Sequence, residues 1–193
     1  MDSPTEVAFP AAGVRQPQVL QVRVSPDIDF HEPSSVTADL NDQMLGFART
    51  DGQAADAIRR ALDQPLLYLV GLHCHIGSQV TDASFYGEAI RQMVPLMAEL
   101  RARHGIILTE LDIGGGHGVP YASGDPELDL DALQDFIDDE LDASCAAERF
   151  PRPTIMVEPG RAMSARAGIT LYRVLSVRSH NPAAAPSWWY MAD

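Results

Sequence analysis

Apolar and polar residues along the chain follow two periods, one typical of strands and the other of helices. Residues 19–24 (VLQVRV) alternate apolar and polar positions, as a half-buried strand does. Residues 67–77 begin as a continuous apolar run that ends in glycine, which is typical of a parallel strand buried on both faces. Further strands are predicted at 106–113, 154–157 and 168–177. One helix is predicted at about 52–62, a second from Asp82 or Ser84 to about 103 with Gly105 as its C-cap, and a third from Asp129 or Asp131 to about 148.

Two segments depart from these periods. Residues 25–50 show little periodicity and predict a long loop, which inside a compact domain is often functional. Pro95 lies inside the second predicted helix, where its missing N–H predicts a kink or a break. The acidic residues of the third helix are expected to form a solvated face rather than a metal site.

The predicted strands and helices alternate, which indicates parallel βαβ units and an α/β fold. Three of the strands are followed by turns with chemically active residues: HCHIGS, GGGHG and EPGR. Ligands bind at the carboxyl ends of parallel strands, and in a TIM-type (β/α) barrel these ends meet at one rim. We therefore expect the three turns to form one site.

Composition limits the classes of partner. The formal charge of −13 disfavours binding to nucleic acid or to an anionic membrane surface. No apolar run approaches the length of a membrane span. Cys74 and Cys145 lack the spacing of a disulfide framework, which favours a reduced, cytoplasmic protein. All 14 basic residues are arginines, so the chain has no lysine.

Each of the three turns has a structural and a functional interpretation. A core histidine is the commoner outcome for either His73 or His75 alone, but the two are expected on one face near the end of their strand, which makes a functional role about as frequent. Residues 114–116 (GGG) would let the backbone approach an anion, although such turns are equally common without a ligand. Arg161 suits a phosphate or a carboxylate. Glu158 could be a base, a metal ligand, a partner for a protonated ring nitrogen or simply a partner of Arg161.

Taken together, the motifs HCHIGSQ (73–79), ELDIGGGHG (110–118) and VEPGR (157–161) resemble those of the pyridoxal-phosphate-dependent decarboxylases that act on diaminopimelate, ornithine and arginine. The HCH form of the first motif and the GVPYASGD segment are most similar to the diaminopimelate branch. The resemblance implies an alanine-racemase-like barrel followed by a β-domain, with pyridoxal 5'-phosphate as the cofactor. It implies decarboxylation of meso-diaminopimelate, a small amino acid, to L-lysine, by full-length relatives that are homodimers.

The resemblance also implies a role for each matching residue. His75 would stack on the cofactor ring, and Glu158 would bond the pyridine nitrogen and keep it protonated. Arg161 would contact the substrate as well as the phosphate. The phosphate end would be bound by a hydroxyl, by backbone N–H groups and by the residues of the EPGR turn: Ser78, Gly114, Gly115, Gly116, Pro159, Gly160 and Arg161.

Two departures from the family pattern modify these expectations. The family forms a Schiff base between a lysine and the cofactor; this chain has no lysine, so no catalytic residue is assigned and the isolated chain is expected to be inactive. About four barrel strands are predicted, where a full barrel has eight. We therefore expect about the second half of a TIM-type barrel at 1–165 and the first strand of a β-domain at 166–193, an internal fragment of a decarboxylase.

Three alternatives remain open. An ornithine, lysine or arginine decarboxylase of the same group would share these motifs. A non-catalytic homologue that binds partners in place of substrate would account for the missing lysine. A zinc amidohydrolase would use His73 and His75 as a metal pair, but its later strands would need further His and Asp ligands. Those strands end here in glycines and EPGR, so no metal site is predicted.

Overall fold

The chain divides into two compact units, Met1–Met163 and Ser164–Asp193. The computed structural model describes residues 1–3, 5–6, 15–26, 46–49, 52–169, 171, 173–179 and 188–192. Most of the loop predicted at 25–50 lies outside the described residues. The assignment of 1–165 and 166–193 as two domains of different function stays a prediction.

A five-stranded parallel sheet with the strand order β2-β1-β3-β4-β5 forms the first unit. The predicted α/β class is therefore confirmed. About four strands were predicted, and the one missed is β2, because two residues are too few to show a period. The strands are β1 (Gln18–Ser25), β2 (Phe47–Ala48), β3 (Leu67–His73), β4 (Glu110–Asp112) and β5 (Thr154–Met156).

Three long helices follow strands of this sheet: α1 (Gln53–Leu62), α2 (Ser84–His104) and α3 (Leu130–Glu148). Helix α2 continues through Pro95, so a break there is wrong; buried residues on both sides of the proline hold the helix against the core. It ends at Gly105, whose φ of 69° is a left-handed conformation that favours glycine. Helix α3 begins after Asp129, whose carboxylate accepts hydrogen bonds from the N–H groups of Asp131 and Ala132.

The register of the sheet places apolar and polar rows on opposite faces. Val22, Leu72 and Leu111 are register partners and are fully buried in the core shared with the helices. The residues that follow them in each strand form a row on the other face: Arg23, His73 and Asp112. Burial of β3 on both faces is wrong for the described residues, because Tyr68 is 52% exposed. The described helices pack on the face that carries Val22, Leu72 and Leu111, whereas the register partner of Tyr68, Val19, is 70% exposed.

The second unit contains two antiparallel strands, β6 (Val174–Ser179) and β7 (Trp188–Ala192). The strand predicted at 168–177 thus begins six residues later, and β7 was not predicted. A short helix, α4 (Gly160–Ser164), and a 3-10 turn, Ala165–Ala167, precede this pair and were also missed. None of the helices among the described residues combines the length and the apolar character needed to span a bilayer.

A buried aromatic pair lies next to the turn that follows β4. Tyr86 on α2 stacks on His117, with ring centroids 5.4 Å apart and planes inclined by 22°. Within the described part of the chain, neither Tyr86 Oη nor His117 Nδ1 has a hydrogen-bond partner. Burial lowers the pKa of His117, and the nearby His75 lowers it further. Burial is also the largest influence on His73 and lowers its pKa, although Asp112 and Glu158 act in the opposite direction.

We predict that the free energy of unfolding falls as the pH is lowered from about 7 to 5. His73 and His117 have folded-state pKa values below the ordinary 6.5, so the unfolded chain binds more protons within this window. His117→Phe keeps an aromatic ring on Tyr86 but cannot titrate, and should reduce the loss. The exposed His104 offers a control, His104→Asn, which should not. Urea unfolding at several pH values measures this, and an unchanged pH dependence in His117→Phe would contradict it.

Candidate functional site

The glycine-rich turn after β4 fits tightly between the turns that follow β3 and β5. A Cβ atom added to Gly115 would lie 2.1 Å from the carbonyl oxygen of Glu158, and one added to Gly116 would lie 1.8 Å from that of Gly77. Both distances are shorter than real Cβ atoms allow. Glycine is therefore required at 115 and 116 for the backbones of the three turns to meet.

Hydrogen bonds within the protein fix the shape of this turn. The Gly114 N–H donates to Asp112 Oδ1 over 2.8 Å, and the Gly114 carbonyl accepts from the Glu158 N–H over 2.9 Å. The Gly115 N–H points to His75 Nδ1, 3.4 Å away. The Gly116 N–H makes no hydrogen bond to any described residue, so it can donate to a ligand.

Arg161 joins the first and third turns through its side chain. Its guanidinium donates one hydrogen bond to Ser78 Oγ and a second, of 2.7 Å, to Tyr121 Oη. Among the described residues, no carboxylate forms an ion pair with Arg161; the suggested pairing with Glu158 is therefore not observed. A cation beside two hydroxyl groups and a glycine turn can bind an anion.

A second cluster lies on the polar face of the sheet. His73 Nε2 is 3.7 Å from Glu158 Oε2, and together with a carboxylate oxygen of Asp112 these atoms lie within 4.8 Å of one another. The three side chains line a cavity of about 330 Å³. Because burial lowers the pKa of His73, its imidazole is mainly neutral at pH 7. The cluster can hold a protonated ring nitrogen or a divalent cation, and the absence of a metal stays a prediction.

The two histidines of the first motif end up in different settings. His73 is the last residue of β3, whereas His75 lies in the turn that follows. The strand is therefore shorter than the 67–77 predicted from the sequence. Cys74 between them faces the core, where burial raises the pKa of its thiol to about 12. Its thiol is therefore protonated and is no candidate nucleophile.

The residues selected from the sequence are brought together in part by direct contact. Ser78 contacts Arg161, and the glycine turn contacts both His75 and Glu158. The chemical roles given to these residues, and to Pro159 and Gly160, stay predictions. Three site residues were missed: Asp112, Gln79 and Tyr121. Only Asp112 could have been selected from the sequence. It lies at the end of a predicted parallel strand, as His73 does, and the carboxyl ends of parallel strands meet at one edge of the sheet.

The acidic residues of α3 do not form a metal site among the described residues. Arg152 pairs with Asp138 and Asp142, and Arg91 pairs with Glu140 over 2.5 Å. Asp142 is exposed, whereas Asp138 and Glu140 are half-buried. The predicted solvated face is therefore found only in part, because arginine side chains pair with these carboxylates. The cluster of His73, Asp112 and Glu158 lies elsewhere, at the carboxyl ends of the strands.

Comparisons with known proteins agree on one family. A family model described as pyridoxal-dependent decarboxylase, pyridoxal binding domain, matches residues 1–165. The diaminopimelate decarboxylase of Actinosynnema pretiosum subsp. auranticum is 42% identical over 178 residues, which are 92% of this chain and 40% of that protein. The crystal structure of diaminopimelate decarboxylase from M. jannaschi matches with a TM-score of 0.75 and 28% identity, over 100% of this chain and 44% of the other.

A lysine decarboxylase is also similar. The Selenomonas ruminantium enzyme, solved in complex with PLP and cadaverine, matches with a TM-score of 0.66 and 27% identity, over 100% of this chain and 43% of the other. The chain spans about 40% of the length of the curated relatives it matches. The family match covers the glycine-rich turn and both clusters around it. The chain therefore belongs to the family of pyridoxal-dependent decarboxylases, through their pyridoxal-binding domain.

Proposed function

We propose that this chain provides the pyridoxal-phosphate-binding part of a diaminopimelate decarboxylase, which converts meso-diaminopimelate to L-lysine. The observation that carries the proposal is the meeting of three turns, with Arg161 and Ser78 in contact on one side and Glu158 beside His73 on the other. Similarity to diaminopimelate decarboxylases supports the choice of substrate. The amino-acid substrate, a homodimeric whole protein and a cytoplasmic location are parts of the same proposal.

The residues present suit a phosphate-bearing pyridine. The Arg161 guanidinium, the Ser78 hydroxyl and the Gly116 N–H would bind the phosphate, with Gly114, Gly115, Pro159 and Gly160 shaping the turns around it. The tight fit of Gly115 and Gly116 supports this assignment, since any larger residue would separate the turns that carry the donors. Gly114 already uses its N–H within the protein, so its part is the shape of the turn.

The other end of the site would hold the ring. Glu158 would accept a hydrogen bond from the protonated pyridine nitrogen, a charge-assisted bond that contributes roughly 1.5–3 kcal/mol. His73, 3.7 Å from that carboxylate, would help to orient it. His75 would cover one face of the ring, held in place through its contact with the Gly115 N–H. Bound pyridoxal phosphate supplies an electron sink for the electron pair left by departing carbon dioxide.

Because this chain has no lysine, it is expected to bind the cofactor but not to catalyse the reaction. The family's covalent attachment needs a lysine amine, and none of the 193 residues supplies one. The chain should therefore bind the cofactor without covalent linkage. The same observation favours a second candidate, a non-catalytic homologue. An ornithine, lysine or arginine decarboxylase also remains a candidate, supported by the similarity to a lysine decarboxylase.

We predict that the purified chain binds pyridoxal phosphate reversibly but releases no carbon dioxide from meso-diaminopimelate. Binding is expected because the phosphate donors are present, and turnover is not expected because the lysine is absent. Isothermal titration measures the first, and trapping of labelled carbon dioxide measures the second. Dialysis should remove the cofactor completely. Turnover by this chain alone would contradict the prediction, and failure to bind would contradict the proposed function itself.

We predict that Glu158→Gln lowers the pKa of the bound cofactor's pyridine nitrogen by about one to two units. A neutral amide cannot stabilise the pyridinium charge as a carboxylate does, and the expected loss of roughly 1.5–3 kcal/mol corresponds to that shift. The measurement is nitrogen NMR of labelled pyridoxal phosphate bound to the chain, as a function of pH. Glu148→Gln, at the end of α3, is the matched control. Equal titration in the wild type and Glu158→Gln would contradict the assigned role.

A further inference from the structure

Tyr121 makes a contact that none of the family motifs explains. It follows the glycine-rich turn in the segment GVPYASGD, and its side chain is largely exposed, at 66%. Its hydroxyl oxygen nevertheless accepts a hydrogen bond of 2.7 Å from Arg161 Nη1. The other terminal nitrogen of Arg161 donates to Ser78 Oγ. The guanidinium thus lies between two hydroxyl groups from different turns.

The hydrogen-bond directions leave donors available at this place. A hydroxyl group has one hydrogen to donate and two lone pairs that accept. Because Ser78 and Tyr121 both accept from Arg161, their own hydrogens are not used in these contacts and can turn towards a ligand. Arg161 retains its positive charge without a carboxylate partner among the described residues. The three side chains together match an anion with several acceptor oxygens.

Gln79 links the segment of Tyr121 to the turn of Ser78. Its side-chain amide bonds the backbone of Val119 in both directions: Nε2 donates to the Val119 carbonyl over 2.8 Å, and Oε1 accepts from the Val119 N–H over 3.3 Å. The backbone of Gln79 has a φ of 59°, in the left-handed region that residues other than glycine seldom adopt. This strained backbone is retained where the side chain makes its paired contact.

The segment after Val119 is itself held in a fixed turn. The Asp125 carboxylate accepts from the N–H groups of Tyr121, over 2.9 Å, and Ala122, over 2.8 Å. Gly124 allows the chain to turn there, with a φ of 96°. The backbone that carries Tyr121 is thus determined from both sides, by Gln79 before it and by Asp125 after it. An exposed tyrosine on such a turn presents its hydroxyl in a defined position.

We propose that Tyr121 and Gln79 are positioning residues of the phosphate end of the site: Gln79 links the Tyr121 segment to the Ser78 turn, and Tyr121 holds the Arg161 guanidinium so that it and Ser78 face the same phosphate. This inference rests on the proposed binding of pyridoxal phosphate and names the residues that make its phosphate end selective. Arg161 has a long, flexible side chain, and each hydrogen bond that fixes it reduces the entropy lost on binding.

The test compares two ligands that differ only in the phosphate. Isothermal titration of the full chain with pyridoxal phosphate and with pyridoxal gives the ratio of their affinities, and inorganic phosphate serves as a competitor. Tyr121→Phe removes only the hydroxyl, and Gln79→Gly removes the side chain at a backbone conformation that suits glycine. Tyr68→Phe, which removes the hydroxyl of another exposed tyrosine, is the matched control. Circular dichroism and thermal unfolding verify that each variant folds.

Tyr121→Phe should weaken binding of pyridoxal phosphate about tenfold, as expected for one lost hydrogen bond to a charged group. Binding of pyridoxal should change less than twofold, and Tyr68→Phe should match the wild type for both ligands. Gln79→Gly should change the ratio in the same direction as Tyr121→Phe. A merely structural effect would weaken both ligands equally and would overturn the inference.

The two proposals fail in different ways. If the wild-type chain prefers pyridoxal phosphate over pyridoxal and Tyr121→Phe keeps the whole preference, Tyr121 has no positioning role and the proposed function stands. If the wild-type chain shows no preference for the phosphate-bearing ligand, and inorganic phosphate does not compete, the proposed function fails and the inference fails with it. If the preference for pyridoxal phosphate over pyridoxal falls in Tyr121→Phe and in Gln79→Gly but persists in Tyr68→Phe, the result supports both the proposed function and the positioning role.

Discussion

The site depends on the close approach of three backbone segments at one edge of the sheet. Gly115 and Gly116 lie so near the carbonyl oxygens of Glu158 and Gly77 that no side chain fits at either position. Bringing backbone against backbone is costly unless the polar groups are paired. Here the Glu158 N–H bonds the Gly114 carbonyl, and the Val80 N–H bonds the Gly116 carbonyl. The turns therefore act as one structure, and the side chains they carry keep their spacing.

The parallel register extends this constraint into the sheet. Val22, Leu72 and Leu111 are fully buried register partners on three neighbouring strands. The residue after each of them is therefore also in register, and these three residues lie side by side at the carboxyl edge of the sheet. Burying His73 and Asp112 there costs free energy. Part of that cost is offset because Asp112 bonds the Gly114 N–H and because burial lowers the pKa of His73, which keeps its imidazole mainly neutral. Its Nε2 atom still has no hydrogen-bond partner among the described residues. The packing of the apolar core thus determines the position of His73 and Asp112 in the polar cluster.

Much of the fold could be predicted from the sequence because its signals are local. The periods of the helices, the cap at Asp129 and the turn at Gly105 each depend on residues within one segment. The missed elements lack such a signal: β2 has two residues, and β7 is defined only by its pairing with β6. The strand predicted at 106–113 is only Glu110–Asp112 in the structure. The apolar residues at 106–108 suggested a buried strand, but an apolar pattern does not specify whether the backbone pairs with a neighbouring strand.

The candidate site was predictable where the chemistry of a motif residue itself suggests a ligand. Ser78, Glu158 and Arg161 are of this kind. Gln79 and Tyr121 also lie in quoted segments, but they act through contacts between turns that lie 40 residues apart. Whether a glutamine bonds a distant backbone group depends on how the strands are arranged, which a linear pattern does not contain. Tyr121 lies in the GVPYASGD segment, but an exposed tyrosine in a surface loop gives no sign by itself that its hydroxyl contacts a distant arginine.

The negative net charge of the chain is compatible with an anionic ligand if the groups around the binding site are not themselves negative. A formal charge of −13 argues against a polyanion, which would contact a large part of the surface. A single phosphate responds to the groups within a screening length of about 8 Å at physiological salt. Around Arg161 these groups include two neutral hydroxyls, and the neighbouring acidic residue, Glu158, is directed towards His73. An acidic protein can therefore bind one phosphate group, provided that the guanidinium at the site makes no ion pair with a carboxylate, as holds for Arg161 among the described residues, and is held in position by hydroxyl groups that accept its hydrogen bonds.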